Sequence, residues 1–157
     1  MAIMTQSKAS KYSSGQVSQH GVLAGAYVFS GAMALAKSAT GFLFTNDGTT
    51  NTLANGDKLL GVTRQEVDNT LGSSGDINCE VYQNGEVEVN VSDTLDGGDI
   101  GAVVYLNNTT DDGILTITPV LDAPELAVGK IVKVIGANVA RIKFDGYIGN
   151  EAATTAS

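Results

Sequence analysis

The sequence is poor in the residues on which most catalytic and metal sites depend. Its 157 residues include one cysteine, Cys79, and one histidine, His20. A single cysteine excludes an internal disulfide and a multi-cysteine metal site, and it is typical of a protein from a reducing compartment. A single histidine leaves a nucleophile with only one possible base of that type. We therefore predict that the protein is not an enzyme and has no catalytic, cofactor-binding or metal-binding residues, with Cys79 in the core and His20 at the surface or at a joint.

The chain also lacks long apolar runs. The first twenty residues contain no apolar stretch of the kind found in secretory signals. The run over 22–36 is interrupted by Gly25, Ser30 and Gly31, and it is shorter than the about 17 to 25 residues of a membrane helix. We predict neither a secretory signal nor a membrane span.

Basic charge is scarce, and it is concentrated in two regions. Nine bases face 17 acids, which gives a net charge of −8, and no base occurs between residues 65 and 129. This balance disfavours general binding to nucleic acid or to anionic membranes. The bases occur instead before residue 65, at Lys8, Lys11, Lys37, Lys58 and Arg64, and after residue 129, at Lys130, Lys133, Arg141 and Lys143.

Glycine, valine and threonine are abundant, and short apolar runs are broken by Gly, Asn and Asp at close intervals. This pattern predicts a mainly β protein, with one small β-barrel or β-sandwich domain of about ten short strands, because both architectures produce the same alternation. We expect an extended N-terminal arm over 1–20, a β domain over 21–148 and a C-terminal tail over 149–157. Within 121–129 we expect one helical turn, starting near Pro124. The strands are predicted near 22–29, 32–36, 40–44, 58–63, 77–82, 86–92, 102–107, 114–118, 130–135 and 139–145.

The segment over 77–92 has the alternation of a β-hairpin. A three-residue turn ending at a left-handed Gly85 would pair Val81 with Val87 and Cys79 with Val89, and so keep one face apolar. The outward positions would then be Glu80, Glu86, Glu88 and Asn90.

A second hairpin is predicted over 130–145, with a turn at 136–138. It would pair Val134 with Ala140 and Val132 with Ile142 on the buried face.

The exposed face of this second hairpin would carry Lys133 opposite Arg141, with Lys143 next along. Like charges directly opposite each other are mildly destabilising. Two interpretations remain open: the bases pair with the protein's own acids, or they bind an acidic partner. On the second interpretation, Lys133, Arg141 and Lys143 are candidate contact residues.

Two acid-rich loops, 93–101 and 107–114, could supply oxygen ligands to calcium. Neither has the ligand order of an EF-hand, and Asp or Asn beside glycine is also ordinary turn chemistry. We favour turns, with calcium binding as the alternative.

Four segments share motifs built from turn glycines and alternating valines. GVLAGAYVFSGAMALA (21–36) brings a Gly-Ala-x-Val element into a strand pair. DKLLGVTRQEVDNTLGSSGDINCEVYQNGEVEV (57–89) joins a Gly-Val strand, an acidic glycine-rich loop and an Asn-Gly turn. DIGAVVYLNNTTDDGILTIT (99–118) and LAVGKIVKVIGANVARIKFDGY (126–147) supply two further hairpins. In these motifs, over about residues 20 to 148, the chain resembles the head decoration proteins of tailed bacteriophages, also called capsid cement proteins.

The resemblance implies a structural virion protein that forms a homotrimer on the exterior of a phage capsid. In that family the trimer binds at three-fold and quasi-three-fold positions and clamps neighbouring major capsid subunits against internal pressure. The implied partners are the major capsid protein and further copies of the chain, with no nucleic acid and no membrane. Synthesis would take place in the cytoplasm of the bacterial host, and no catalytic residues are carried over.

In the role that the resemblance implies, we expect the N-terminal arm, with Lys8 and Lys11, to grip the shell, since an extended arm can wrap a large surface. Two other classes remain. A receptor- or carbohydrate-binding β module of a phage fibre or tail would need an exposed aromatic platform, whereas the five tyrosines are scattered. A small hydrolase with paired acids would be the other, although aromatic residues and histidine are few.

Overall fold

The structure is a computed structural model, and it describes residues 16–47, 50–107, 114–119, 121–146 and 150–155. Short strands dominate the described residues, as the alternation of apolar residues predicts. A single 3-10 turn at Gly97–Asp99 is the only helical element with defined bounds in these ranges. The strands are β1 (Val17–Gly21), β2 (Tyr27–Val28), β3 (Met33–Ala36), β4 (Leu43–Phe44), β5 (Lys58–Thr63), β6 (Val67–Asp68), β7 (Asn78–Tyr82), β8 (Asn84–Val91), β9 (Val103–Asn107), β10 (Ile114–Leu115), β11 (Pro124–Gly136), β12 (Val139–Asp145) and β13 (Ala153–Thr154).

These strands form two main sheets. The first has the order β1-β7-β5-β3-β4 and is antiparallel throughout. The second has the order β10-β8-β12-β11-β13, and β9 also pairs with β11. A small ribbon of β2 and β6 lies apart from both. Neither main sheet closes on itself within the described ranges, so the fold is a β-sandwich-like domain rather than a barrel.

The core lies between the two sheets, with β5 of the first sheet in contact with β8, β11 and β12 of the second. Successive side chains of a strand point to opposite faces, so each sheet contributes every second residue to this layer. Removing this apolar surface from water is the main stabilising term of the fold. The fully buried side chains include Leu35, Leu59, Val62, Cys79 and Val81 from the first sheet and Leu106, Leu126, Ile131, Ile142 and Phe144 from the second.

The predicted hairpin over 77–92 is wrong. β7 and β8 are consecutive in the chain but belong to different sheets, since β7 pairs with β1 and β5 whereas β8 pairs with β12 and β10. The inward positions expected from the alternation also include Ile77 and Val91. The prediction of faces is correct for five of these six residues, since Cys79, Val81, Val87, Val89 and Val91 are buried, and wrong for Ile77, which is 41% exposed where the chain enters β7. Alternation determines which side chains of a strand face the core. The apolar side chains of β7 and β8 enter that core from two different sheets. Gly85 has a positive φ of 135° and lies opposite Phe144 of β12.

The second hairpin is confirmed in part. Val134 pairs with Ala140, as predicted, whereas the partner of Ile142 is Ile131 and not Val132. The register shifts between Ile131 and Lys133, so Val132 lies in a bulge and is 39% exposed.

Three further segments differ from the sequence-based expectation. The helical turn near Pro124 is wrong, because β11 begins there and pairs with β9 and β13 while Leu126 and Val128 fill the core. β1 starts at Val17, inside the range predicted as an arm, and only Tyr27–Val28 is strand within 22–29. Residues 150–155, predicted as tail, contribute β13 and the buried Ala152.

Candidate docking surface

The β11–β12 hairpin brings four bases onto one face of the second sheet. Lys130 pairs with Lys143, and Lys133 pairs with Arg141. Lys130 and Lys133 are three residues apart, a spacing that puts side chains on opposite faces of a regular strand. The bulge at Val132 restores them to the same face. We call the four bases, Lys130, Lys133, Arg141 and Lys143, the basic ribbon.

Among the described residues, none of the four bases of the basic ribbon forms an ion pair within 4 Å. Glu88 and Glu86 of β8 lie in register beside Arg141 and Lys143, at the inner edge of the ribbon. Bases elsewhere in the protein do pair, since Arg64 donates to Glu80 at 2.8 Å and Lys37 lies 3.7 Å from Asp57. Two cross-strand pairs of like charge are therefore kept together in a protein whose net charge is −8.

The basic ribbon also carries exposed apolar side chains. Val132 is 39% exposed at the bulge, and Ile135 is 42% exposed near the hairpin tip. Long basic side chains add apolar stems to such a surface. Aliphatic groups beside cations suit a partner surface that combines carboxylates with apolar side chains.

The structure brings together three of the five predicted contact residues: Lys133, Arg141 and Lys143. Sequence reasoning missed Lys130 as a contact residue, although a second lysine three positions before Lys133 is the signal that a bulge would place both on one face. Lys8 and Lys11 lie outside the described residues.

The acidic loop over 93–101 is joined by hydrogen bonds to the segment over 116–118, and we call this contact the Asp93 clasp. The Asp93 carboxylate accepts hydrogen bonds from the Thr116 hydroxyl at 2.8 Å, the Ile117 amide at 3.0 Å and the Thr118 hydroxyl at 2.7 Å. Asp96 and Asp99 form a capping box around the 3-10 turn. Asp93, Asp96 and Asp99 therefore stabilise turns in the loop over 93–101, as the sequence predicts. The second candidate calcium loop, 107–114, falls almost wholly outside the described residues, and the described ranges hold no group of three or more metal-ligating side chains.

The Asp93 clasp should make the free energy of unfolding depend on pH. Partial burial by itself would raise the pKa of Asp93, but hydrogen bonds from Thr118, Ile117, Thr116 and Ser92 outweigh it and lower this pKa. A lowered pKa stabilises the fold above the unfolded value and loses that contribution as the pH falls through the folded value. We expect Asp93→Ala to cost about 1 to 2 kcal/mol at pH 7, and the cost should shrink below pH 4. Urea unfolding of both proteins at pH 7 and at pH 3 measures it, and an equal cost at both values would contradict the assignment.

His20 and Cys79 lie opposite each other in β1 and β7. The Ser18 hydroxyl and His20 Nε2 are 2.7 Å apart, and burial lowers the pKa of the half-buried imidazole. Cys79 is fully buried as predicted. His20 therefore lies at the edge of the first sheet, at the joint where the chain enters the domain.

Cys79 should react slowly with thiol reagents in the native protein. Burial is the main cause that raises the pKa of its thiol from 9.0 to about 11. A rise of this size lowers the thiolate fraction about 100-fold near pH 8, and the thiolate is the reactive form. We expect labelling by Ellman's reagent to be at least ~100-fold slower in native protein than in urea-unfolded protein. Native and unfolded rates within tenfold of each other would contradict burial of this side chain.

One aromatic pair lies at the surface. The rings of Tyr27 and Phe29 are 4.8 Å apart and inclined at 52°, and the Tyr27 hydroxyl donates to Glu66. Tyr27 is 38% exposed. Two rings inclined in this way do not form the flat platform expected of a carbohydrate-binding module.

In the part of the chain that the structure describes, no helix has the length and apolar character needed to cross a membrane. Comparison with known sequences adds no family: no protein-family model matches the chain, and no curated protein matches it significantly.

Proposed function

We propose that this protein is a structural virion protein: a capsid decoration, or cement, protein that binds the outer surface of a phage head as a homotrimer. In this role it stabilises contacts between neighbouring major capsid subunits, and it acts by binding alone. The observation that carries the proposal is the basic ribbon, whose four cations form no ion pair with another described residue and lie beside exposed aliphatic side chains, a surface that suits an interface between subunits of an assembly. The sequence motifs that resemble the cement family support the same role.

The fold suits a clamp. Two sheets joined across one apolar core give a stiff body, and a stiff body loses little entropy when it binds. Many copies on a fixed lattice then convert modest contacts into durable attachment.

The arm can add reach to this body. Its first described residue, Gln16, is held where the chain crosses between sheets, because its amide donates to Asn84 and its carbonyl accepts from the Gln83 amide at 2.7 Å. Fifteen preceding residues could extend about 50 Å at ~3.3 Å each. We propose that this segment, with Lys8 and Lys11, contacts the shell next to the body.

Co-sedimentation with expanded capsids that lack the protein tests the proposal. We expect saturable binding of the full chain and a loss of at least tenfold in affinity when residues 2–15 are deleted. The deletion ends before β1, so the domain should keep its unfolding midpoint. Lys8→Glu with Lys11→Glu should weaken binding, whereas Lys58→Glu, an exposed lysine of β5, should not. Failure of the full chain to bind capsids would refute the function, and full binding after the deletion would refute the role of the arm.

A receptor- or carbohydrate-binding module of a phage fibre or tail is the alternative. The exposure of Tyr27 favours it, although the inclined rings of Tyr27 and Phe29 do not form a flat platform. A glycan array decides between them, since selective binding that Tyr27→Ala abolishes would support the alternative.

A further inference from the structure

A second exposed apolar surface lies at the loop between β6 and β7. Leu71 is completely exposed at its tip, and Ile77 is 41% exposed where the loop meets β7. A cavity of about 290 Å³ lies beside them, lined also by Asp68 and Asp76. We call residues 68–77 the Leu71 loop.

The Leu71 loop is firmly held, so the exposure of its leucine is a fixed feature of the surface. The buried Asn69 amide donates to the carbonyls of Val22 at 3.1 Å, Leu23 at 3.2 Å and Ser73 at 3.0 Å. The Gly75 amide donates to the Val22 carbonyl at 3.0 Å. A loop braced in this way presents Leu71 with little conformational entropy to lose on binding.

The charge around Leu71 is acidic. Asp68 and Asp76 line the adjacent cavity, and Glu66 precedes the loop in the same base-free stretch of sequence. Each aspartate accepts a hydrogen bond from a nearby backbone amide, at Thr70 and Ser73 respectively, which fixes its position. The Leu71 loop is therefore an apolar tip with an acidic rim.

The basic ribbon has the complementary chemistry. It carries bases that form no ion pair within the described part of the chain, beside Val132 and Ile135, whereas the Leu71 loop carries acids beside Leu71 and Ile77. The ribbon belongs to the second sheet, whereas the loop joins β6 of the two-stranded sheet to β7 of the first sheet. We propose that the basic ribbon of one copy of this chain binds the Leu71 loop of a second copy.

Such a contact is heterologous, because one copy contributes its basic ribbon and the other its Leu71 loop. Repeated contacts of this kind form closed rings or open filaments. This contact rests on the proposed function, because copies that decorate a shell lie side by side and can bind each other. It assigns the ribbon to the partner copy and leaves the shell to other surfaces.

Complementary variants give a direct test by analytical ultracentrifugation at low and high salt. Leu71→Lys places a base against the basic ribbon, and Lys133→Glu places an acid against the Leu71 loop. We expect each variant to lower the association constant at least tenfold. An equimolar mixture should restore association, since the intact ribbon of Leu71→Lys copies meets the intact loop of Lys133→Glu copies. Raising the salt concentration should weaken association of the unaltered protein.

Matched controls use residues of the same type at other surfaces. Leu121→Lys changes a leucine that is 50% exposed, and Lys58→Glu changes a lysine of the first sheet. Both should associate like the unaltered protein. Thermal unfolding of each variant checks folding, and Leu71→Ser with Lys143→Glu provides a second pair if either of the first variants unfolds.

The contact is overturned if the unaltered protein stays monomeric at about 100 μM, if either variant associates normally, or if the mixture restores nothing. Capsid co-sedimentation separates this from the proposed function. A monomer that still binds capsids refutes the contact and the homotrimer but leaves the decoration role standing, whereas an oligomer that ignores capsids refutes the decoration role alone.

Discussion

Gly61→Ala is expected to lower the free energy of unfolding by about 3 to 5 kcal/mol. Gly61 has a φ of 142°, which L side chains rarely adopt, and a Cβ there would lie 1.9 Å from the Tyr82 carbonyl oxygen. That oxygen belongs to backbone at the point where the chain leaves the first sheet for the second, so it cannot move without separating strands. The substitution thus combines backbone strain with a clash between main-chain atoms.

Chemical denaturation followed by circular dichroism measures this effect, and the midpoint of thermal unfolding should fall by on the order of 10 to 20 °C. Gly41→Ala is the matched control, because Gly41 has a φ of 77° but no atom lies within 4 Å of the place that a Cβ would take there. It should cost only the strain, about 1 to 2 kcal/mol. Equal costs at the two glycines would show that the close approach of β5 to Tyr82 is not what requires Gly61.

Asp57→Ala is expected to cost about 3 to 4 kcal/mol. Asp57 is fully buried, and its carboxylate accepts hydrogen bonds from the Ser38 amide at 2.9 Å and the Ala54 amide at 2.8 Å. Lys37 Nζ lies 3.7 Å from the same carboxylate. Alanine would leave both amides without an acceptor and the lysine without its counter-ion, in a protein whose whole stability is on the order of 5 to 15 kcal/mol.

The same unfolding measurements test Asp57. Asp47→Ala is a suitable comparison, because the Asp47 carboxylate accepts from the Asn51 amide at 2.9 Å at a half-buried position, and its loss should cost about 1 kcal/mol. If the Asp57 variant is as stable as the Asp47 variant, water accepts the hydrogen bonds of the Ser38 and Ala54 amides in place of the lost carboxylate. The Asp57 carbonyl also accepts from the Ala152 amide at 2.7 Å, so we expect the C-terminal segment to loosen first.

Both substitutions bear on the proposed clamp. They weaken the junctions that hold the two sheets and the chain ends together without touching the basic ribbon or the Leu71 loop. Partly destabilised variants should therefore associate normally at low temperature and lose capsid protection on heating. This separates the stiffness of the body from the chemistry of its surfaces.

Sequence reasoning predicted the candidate site better than it predicted the strand pairing around it. Lys133 and Arg141 lie opposite each other as predicted, but not through the predicted turn at 136–138. Gly136 pairs with Val139, so the turn has only two residues, and the register shift between Val134 and Gly136 compensates for the missing one. Lys130 lies in the ribbon only because of the bulge at Val132, for which the spacing of Lys130 and Lys133 is the one signal in the sequence. The Leu71 loop was not predicted, because a leucine among polar residues has the same pattern whether it turns inward or outward.

Alternation of apolar and polar residues by itself determined that the protein is mainly β, and which side chains of β7, β8 and β12 face the core. It did so because the side-chain period of a strand is set by backbone geometry alone. Only the tertiary structure decided which strands pair, since an apolar face is buried equally well against any complementary layer. That is why Val81 and Val87 are buried in one core from two different sheets and are not paired in a hairpin. It is also why the polar Val17–Gly21 segment, held by backbone hydrogen bonds at a sheet edge, is a strand at all.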